Sequence, residues 1–152
     1  MISLLTPTHW KDYELLDCGD FGKLERFGNL VLCRPEPQAV WKKVLSPQEW
    51  KKKTHINFKG RSATSGEWIK VEKNIPERWN VNYKNDDISI NLRLGLTSFK
   101  HVGVFPEQAV NWDYISSSIK KFKTASPKVL NLFAYTGAAS CMARLKGAET
   151  FH

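Results

Sequence analysis

The chain has 152 residues, of which 41% are hydrophobic and 25% are charged. That length allows one domain, or a small domain with part of a second, and the average charge content excludes a wholly disordered chain. The formal net charge of +8 favours an anionic partner, with nucleic acid the first candidate, although a basic surface also serves solubility alone.

The first half of the chain predicts a sheet of short strands. Turn residues at Cys18–Gly22 and at Gly28 separate the first three strands, and prolines after Cys33 end them, because proline removes a backbone donor. The predicted strands are Tyr13–Asp17, Lys23–Phe27, Asn29–Cys33, Gly66–Glu72, Trp79–Tyr83 and Ile88–Leu94. The last two alternate apolar and polar residues on either side of a polar turn, which predicts a hairpin.

A short helix is predicted after Ser46. Ser46 suits the N-cap, Pro47 the first helical position, and Glu49 the third position of a capping box. The helix ends in the three consecutive lysines 51–53, whose charges suit the negative end of its dipole.

The last third predicts a helix, a strand, a helix and a second strand. Pro106–Lys123 has a helical apolar stripe, whose members are Ala109, Val110, Tyr114, Ile115, Ile119 and Phe122. Val129–Phe133 is largely apolar, which is typical of a strand covered on both faces. Ala138–Lys146 forms the next helix, with Gly147 as its C′ residue, and Glu149 begins another strand.

This order is the opening of a parallel α/β sheet. The predicted fold class is therefore α/β. An antiparallel, β-rich extension occupies residues 1–95, and the start of a Rossmann-like sheet, truncated at the end of the chain, occupies residues 96–152. No internal repeat or low-complexity segment interrupts either part.

The turn Phe133–Gly137 lies where open parallel sheets bind ligands, beyond the carboxyl end of a strand. The chain has neither the glycines of a dinucleotide fingerprint nor a phosphate-binding P-loop. A turn with one glycine suits a cofactor without phosphates, such as S-adenosylmethionine. A buried strand packed beside a helix explains the same residues without any ligand.

Two segments resemble class I S-adenosylmethionine-dependent methyltransferases. Lys128–Ser140, KVLNLFAYTGAAS, is similar to the first motif of the branch related to bacterial large-subunit ribosomal RNA methyltransferases. Gly103–Gln108, GVFPEQ, lies one helix upstream and resembles the segment that lines the methionine end of the cofactor, with Glu107 where aspartate is usual. In the N-terminal half, Lys23–Gly28 and Arg34–Ala39 resemble the β extension of one bacterial subgroup.

The resemblance implies S-adenosyl-L-methionine as the cofactor and a set of residues around it. The implied cofactor-binding residues are Phe105, Gln108, Asn131, Phe133, Ala134, Tyr135, Thr136 and Gly137. An amide such as that of Gln108 can donate to the carboxylate of the cofactor and accept from its amino group. Many relatives have arginine after this glutamine, where this chain has Ala109.

RNA, in particular ribosomal RNA, is the partner and substrate that the resemblance and the net charge favour. Cations mixed with aromatic residues in Trp50–Arg61 suit phosphate pairing and base stacking. The candidate RNA-binding residues are Lys51, Lys52, Lys53, Lys59, Arg61 and Lys100. The alternative explanation of the same residues, without RNA, is a solvated helix end followed by a loop.

By the resemblance, the acid that holds the cofactor ribose and the catalytic motif are expected beyond His152. We therefore expect the chain to be the N-terminal part of a longer methyltransferase and to be inactive alone. Cys18, Cys33 and Cys141 are poor candidates for a nucleophile, and Cys141 is expected to pack on its helix.

Three cysteines without metal spacing predict free thiols in a reducing compartment. The N-terminus has no signal peptide, and no apolar run is long enough for a membrane span. These features predict a cytoplasmic protein without a metal or a membrane partner, and they leave the oligomeric state open.

Two alternatives to an RNA methyltransferase remain. A methyltransferase of a small molecule or a protein can use the same fold, because the fold does not fix the substrate. A non-catalytic RNA-binding module, with the α/β part as scaffold, is the alternative outside enzymes.

Overall fold

The computed structural model describes residues 5–62, 65–122 and 126–152. Within them lie a five-stranded sheet and two two-stranded sheets. The strands are β1 Tyr13–Gly19, β2 Gly22–Phe27, β3 Leu30–Pro35, β4 Ile56–Gly60, β5 Gly66–Lys70, β6 Arg78–Lys84, β7 Ser89–Gly95, β8 Lys128–Leu130 and β9 Glu149–Phe151. The helices are α1 Pro47–Lys53, the 3-10 turn Pro106–Gln108, α2 Ala109–Ile119 and α3 Ala138–Leu145.

The described residues form two compact units. We call Lys11–Asn82 with Arg93–Val102 the β unit, and the described residues of Met1–Trp10, Tyr83–Leu92 and Gly103–His152 the α/β unit. The predicted division into residues 1–95 and 96–152 stays a prediction. No helix in the described ranges is long and apolar enough to span a membrane.

The β unit contains the five-stranded sheet, in the order β1-β2-β3-β4-β5. Its neighbouring strands are antiparallel except β3 and β4, which are parallel. The predicted antiparallel extension is therefore wrong at this pair, and β4 was not among the predicted strands. Parallel neighbours need a long crossover, and the segment between Pro35 and Ile56, which contains α1, provides it.

Helix α1 begins as its sequence predicts. The Ser46 Oγ accepts a hydrogen bond from the Glu49 N–H at 3.3 Å, and the Glu49 carboxylate accepts one from the Ser46 N–H at 2.8 Å. This capping box satisfies two backbone donors that a helix start leaves open. Trp50 packs the inner face of α1 against Leu24 and Val31 of the sheet.

A buried carboxylate joins α1 to β1. Asp17 accepts hydrogen bonds from Trp50 Nε1 at 2.7 Å and from the Leu45 N–H at 2.9 Å. Burial is the largest influence on this carboxyl and raises its pKa. The hydrogen bonds from Trp50, Leu45 and Val44 together outweigh burial and lower the pKa of Asp17 below its ordinary value of 3.8. The carboxylate is therefore ionised where α1 meets the sheet.

A charged pair lies in the core of the β unit. Arg34 Nε donates to the Glu25 carboxylate at 2.9 Å, and both side chains are almost fully buried. Tyr13 Oη also donates to Glu25, and Arg34 Nη1 donates to the Lys100 carbonyl at 3.0 Å. Every charge here has a partner, as burial of charge requires. Nothing in the sequence pattern had distinguished these two residues from surface charges.

The predicted hairpin is confirmed: β6 and β7 pair with each other. Leu94 of β7 and Ile88, which directly precedes the strand, are buried, while Ser89, Asn91 and Arg93 are exposed. The alternation of apolar and polar side chains follows the two-residue period of a strand.

The predicted apolar stripe of α2 is only partly correct. The buried residues of α2 are Ala109, Trp112, Ser116 and Ile119, whereas Tyr114 is exposed. Trp112 contacts Trp10 and Tyr83 in an aromatic cluster, with ring centroids 5.7 and 5.1 Å apart. This cluster sets the buried face of the helix, so Tyr114, which lies off that face, points to solvent.

The last elements form the predicted strand–helix–strand unit, with β8 and β9 parallel. Gly147 ends α3 in a left-handed conformation, and the N–H groups of Gly147 and Ala148 donate to the carbonyls of Arg144 and Ala143. This pairing is the predicted glycine C-cap.

The predicted strand Val129–Phe133 is wrong in length and in burial. β8 ends at Leu130, and Leu130, Leu132 and Phe133 are exposed. An apolar composition indicates a strand that needs cover on both faces. The described part of the chain does not provide that cover, and after Leu130 the backbone turns away from strand geometry.

Candidate functional site

The turn after β8 lines a cavity of about 260 Å³ in the α/β unit. Its walls include every predicted cofactor-binding residue except Gly137: Phe105, Gln108, Asn131, Phe133, Ala134, Tyr135 and Thr136. Two segments separated by a helix in the sequence therefore meet at one concave surface. Their role in cofactor binding remains a prediction from the sequence.

The backbone of this turn alternates in handedness. Phe133, Tyr135 and Gly137 have φ values of 60°, 54° and 84°, and the residues between them do not have positive φ. Non-glycine residues adopt such values rarely and at an energetic penalty. Alternating backbone of this kind turns successive N–H groups toward one concavity, which favours an anionic group.

The N–H groups of this turn are available for a ligand. Within the described part of the chain, the N–H groups of residues 133–136 have no hydrogen-bond acceptor. Gly137 is the N-cap of helix α3 and provides no side-chain cap, so the first N–H groups of the helix add positive potential. The turn therefore presents a line of donors in front of a helix N-terminus.

Side-chain hydrogen bonds hold the turn in this conformation. Thr136 Oγ1 donates to the Gly103 carbonyl at 2.8 Å, which joins the two segments that form the cavity. Asn131 Nδ2 donates to Ser140 Oγ at 2.9 Å, which ties the end of β8 to α3. Neither bond follows from a sequence pattern, although Thr136 and Asn131 are both predicted cofactor-binding residues.

Aromatic rings form one wall of the cavity. The rings of Phe105 and Tyr135 lie 4.7 Å apart between centroids, at 39°. Gln108 is exposed at the rim, and its Oε1 accepts a hydrogen bond from Asn111 Nδ2 at 2.9 Å. This bond orients the amide and leaves its nitrogen free to donate to a carboxylate.

A larger cavity, of about 770 Å³, lies against the same turn. It shares residues Ala134–Thr136 with the first and also contacts Gly137, Cys141 and Arg144. Cys141 is exposed here, so the expectation that it packs on its helix is wrong. The side chain at this position of α3 faces away from Met142 and Ala143, which are buried.

The candidate RNA-binding residues all lie in the β unit, but they differ in environment. Lys51, Lys52 and Lys53 form the exposed last turn of α1, and Lys59 is exposed on β4. The remaining two, Arg61 and Lys100, have structural contacts. Arg61 forms an ion pair with Glu67, and Lys100 is half-buried, with its carbonyl bound by Arg34.

No group of three metal-ligating side chains occurs in residues 5–62, 65–122 and 126–152. Cys18 and Cys33 are half-buried, and burial raises the pKa of the Cys33 thiol. The Cys33 thiol therefore lacks the lowered pKa of an activated nucleophile.

Comparison with solved structures identifies proteins with the same fold. An S-adenosylmethionine-dependent methyltransferase from Agrobacterium tumefaciens superposes on 98% of this chain, with a TM-score of 0.85 and 33% sequence identity. The chain has the fold of part of a methyltransferase. It spans 45% of the length of that structure.

Two more distant structures share the fold. A candidate S-adenosylmethionine-dependent methyltransferase from Streptococcus mutans matches with a TM-score of 0.60 and 20% identity, over 94% of this chain and 39% of its own. A candidate methyltransferase complexed with SAH matches with a TM-score of 0.56 and 18% identity, over 91% and 37%. No protein-family model matches the chain, and no curated protein matches it.

Proposed function

We propose that this chain supplies the S-adenosylmethionine-binding turn of a methyltransferase that acts on RNA, in particular ribosomal RNA. The observation that carries the proposal is the strained turn Phe133–Gly137, most of whose residues line one cavity together with Phe105 and Gln108. A methyltransferase from Agrobacterium tumefaciens with this fold supports the reaction class.

The residues of the turn fit the methionine end of this cofactor. The carboxylate of the cofactor can accept hydrogen bonds from the N–H groups of residues 133–136 and from the amide nitrogen of Gln108. All of these groups are uncharged donors. The Phe105 and Tyr135 rings would exclude water from the same end. When bound, the cofactor supplies an electrophilic methyl group on its sulfonium, and the protein contributes position and a dry surface.

The proposal of RNA as substrate is supported by charge. The net charge is +8, and the three lysines at the end of α1 are exposed, with Lys53 also attracting Glu49 one turn earlier in the same helix. RNA binding depends on cations that pair with phosphates, whereas the binding of an uncharged small molecule does not.

Gly137 and Gly147 provide a matched test of the cofactor site. Both have left-handed φ, 84° and 88°, and a Cβ at either position would meet no atom within 4 Å. Alanine at either position should therefore lower the free energy of unfolding by a similar amount, about 1–2 kcal/mol. Only Gly137→Ala alters the turn Phe133–Gly137, and its methyl group lies at the larger cavity that adjoins this turn.

The measurement is calorimetric titration of the protein and both variants with S-adenosylhomocysteine. We expect Gly137→Ala to weaken binding by about tenfold, since it disturbs hydrogen bonds to a charged group, and Gly147→Ala to leave it unchanged. Equal affinities for all three proteins would place the cofactor elsewhere and contradict the proposal.

A further inference from the structure

The tip of the β1–β2 hairpin carries large side chains that the β unit leaves exposed. Phe21 is 62% exposed, and Val40 and Trp41, on the adjoining loop, are 70% and 53% exposed. Backbone hydrogen bonds join the two segments, from the Asp20 N–H to the Trp41 carbonyl at 2.7 Å and from the Phe21 N–H to the Ala39 carbonyl at 2.8 Å. We call Phe21, Val40, Trp41 and the neighbouring Lys42 the hairpin-tip surface.

The backbone at Phe21 is strained. Asp20 and Phe21 have φ values of 44° and 61°, as in a type I′ turn, where the second position strongly favours glycine. A bulky residue with positive φ is an outlier that needs support from its surroundings. The bonds to the 39–41 loop, and one from the Glu36 N–H to the Phe21 carbonyl, give that support.

Burial does not offset this strain, because the Phe21 ring remains largely in water. A ring that stabilised the fold would be expected to pack inward. An exposed bulky side chain on a strained and firmly held backbone instead indicates a binding role.

Trp41 is also held in place. Its Nε1 donates to the Cys18 carbonyl at 2.8 Å, which fixes the indole along β1. Within the described residues, neither Trp41 nor Phe21 has a ring or cation against its face. Trp50 differs, because the Lys43 ammonium lies 4.0 Å from its ring centroid. Trp41 therefore offers a fixed, open aromatic face, and Phe21 offers an open ring on a backbone that is held in place.

The charged groups beside these rings include two lysines and an aspartate. Lys42 is almost fully exposed and forms an ion pair with Asp20 at 3.2 Å, while Lys43, next in the loop, lies against the Trp50 ring. Fixed aromatic faces next to lysines are the combination that binds unpaired nucleotides, through stacking on the bases and pairing with the phosphates. A protein partner would need a much larger apolar area for a stable interface.

We propose that the hairpin-tip surface is a stacking platform for single-stranded RNA, with Phe21 and Trp41 each supporting a base. The proposal names how the substrate is held and so rests on the RNA part of the proposed function. It does not depend on the cofactor site, which lies in the α/β unit.

Phe21→Gly separates a binding role from a structural one. Glycine relieves the left-handed strain, so the variant should melt at a higher temperature than the original protein while binding RNA more weakly. Stacking on an aromatic side chain makes a loss of about fivefold or more the expected result. A structural role for the ring would instead lower the melting temperature.

Phe99→Gly is the matched control. Phe99 is 53% exposed in the same unit and does not have positive φ. Phe99→Gly therefore removes an exposed phenyl ring of the same size without relieving backbone strain. Binding is measured by fluorescence anisotropy with a labelled single-stranded RNA of about 12 nucleotides, with the duplex of the same sequence as competitor. We expect Phe99→Gly to bind as the original protein does and the duplex to compete poorly.

Each contrary result has a distinct meaning. Equal RNA affinities for Phe21→Gly and Phe99→Gly, or equal competition by the duplex, would overturn the platform alone. No RNA binding by the original protein would overturn the RNA part of the proposed function as well, while S-adenosylhomocysteine titration reports separately on the cofactor. A dimer that Phe21→Gly dissociates would assign the surface to a second copy of the chain and overturn the RNA platform.

Discussion

Arg34 and Glu25 carry opposite charges and are buried together inside the β unit. Each side chain stabilises the fold only while the other is present. Arg34→Met would leave the Glu25 carboxylate buried with only weaker partners, Tyr13 and Lys23. We expect the free energy of unfolding to fall by about 3–5 kcal/mol, because a buried charge that loses its best partner is very unfavourable. Urea unfolding followed by circular dichroism measures this change.

The double variant Glu25→Leu/Arg34→Met is the control for that prediction. Removal of both charges should recover most of the lost stability, since an apolar pair avoids desolvation altogether. If the double variant is no more stable than Arg34→Met, lost packing rather than an unpaired charge explains the effect.

Helix α1 is attached to the sheet through an ionised group, so its attachment should depend on pH. The folded state lowers the pKa of Asp17 below 3.8. The carboxylate therefore contributes stability above its unfolded pKa, and this contribution is lost as the pH falls through the lower, folded pKa. Asp17→Asn removes the titration while it keeps an acceptor for Trp50.

The melting temperatures of the original protein and Asp17→Asn should differ most at neutral pH. We expect the difference to shrink between about pH 5 and about pH 2, as Asp17 becomes protonated in the original protein. A difference that stays constant over this range would show that the charge of Asp17 does not hold α1.

For the molecule as a whole, the net charge of +8 matters only where cations are free to pair with phosphates. Replacement of Lys51, Lys52 and Lys53 by alanine should reduce the salt dependence of RNA binding by about two units of slope, at about 0.7 per phosphate contact on a single strand. Arg61→Ala is the control, because its ion pair with Glu67 already offsets its charge. An equal change of slope per residue in both variants would mean that net charge alone governs binding.

Local signals predicted many of the elements. The capping box at Ser46 and the glycine C-cap at Gly147 are formed by residues close in sequence, so their geometry follows from the sequence alone. The alternation in Ile88–Leu94 likewise follows from the period of a strand. In the candidate site, the sequence identified residues that the fold brings to one cavity, because two motifs one helix apart resembled a single family.

The sequence by itself determined the α/β class, the order of most helices and strands and the residues around the turn after β8. These depend on periodicity, caps and motifs that act over a few positions. Only the tertiary structure decided that β4 pairs in parallel with β3, that Arg34 and Glu25 are buried together and that Phe21 is held exposed in a strained turn. Each of these depends on contacts between residues distant in sequence, whose energies no local pattern records.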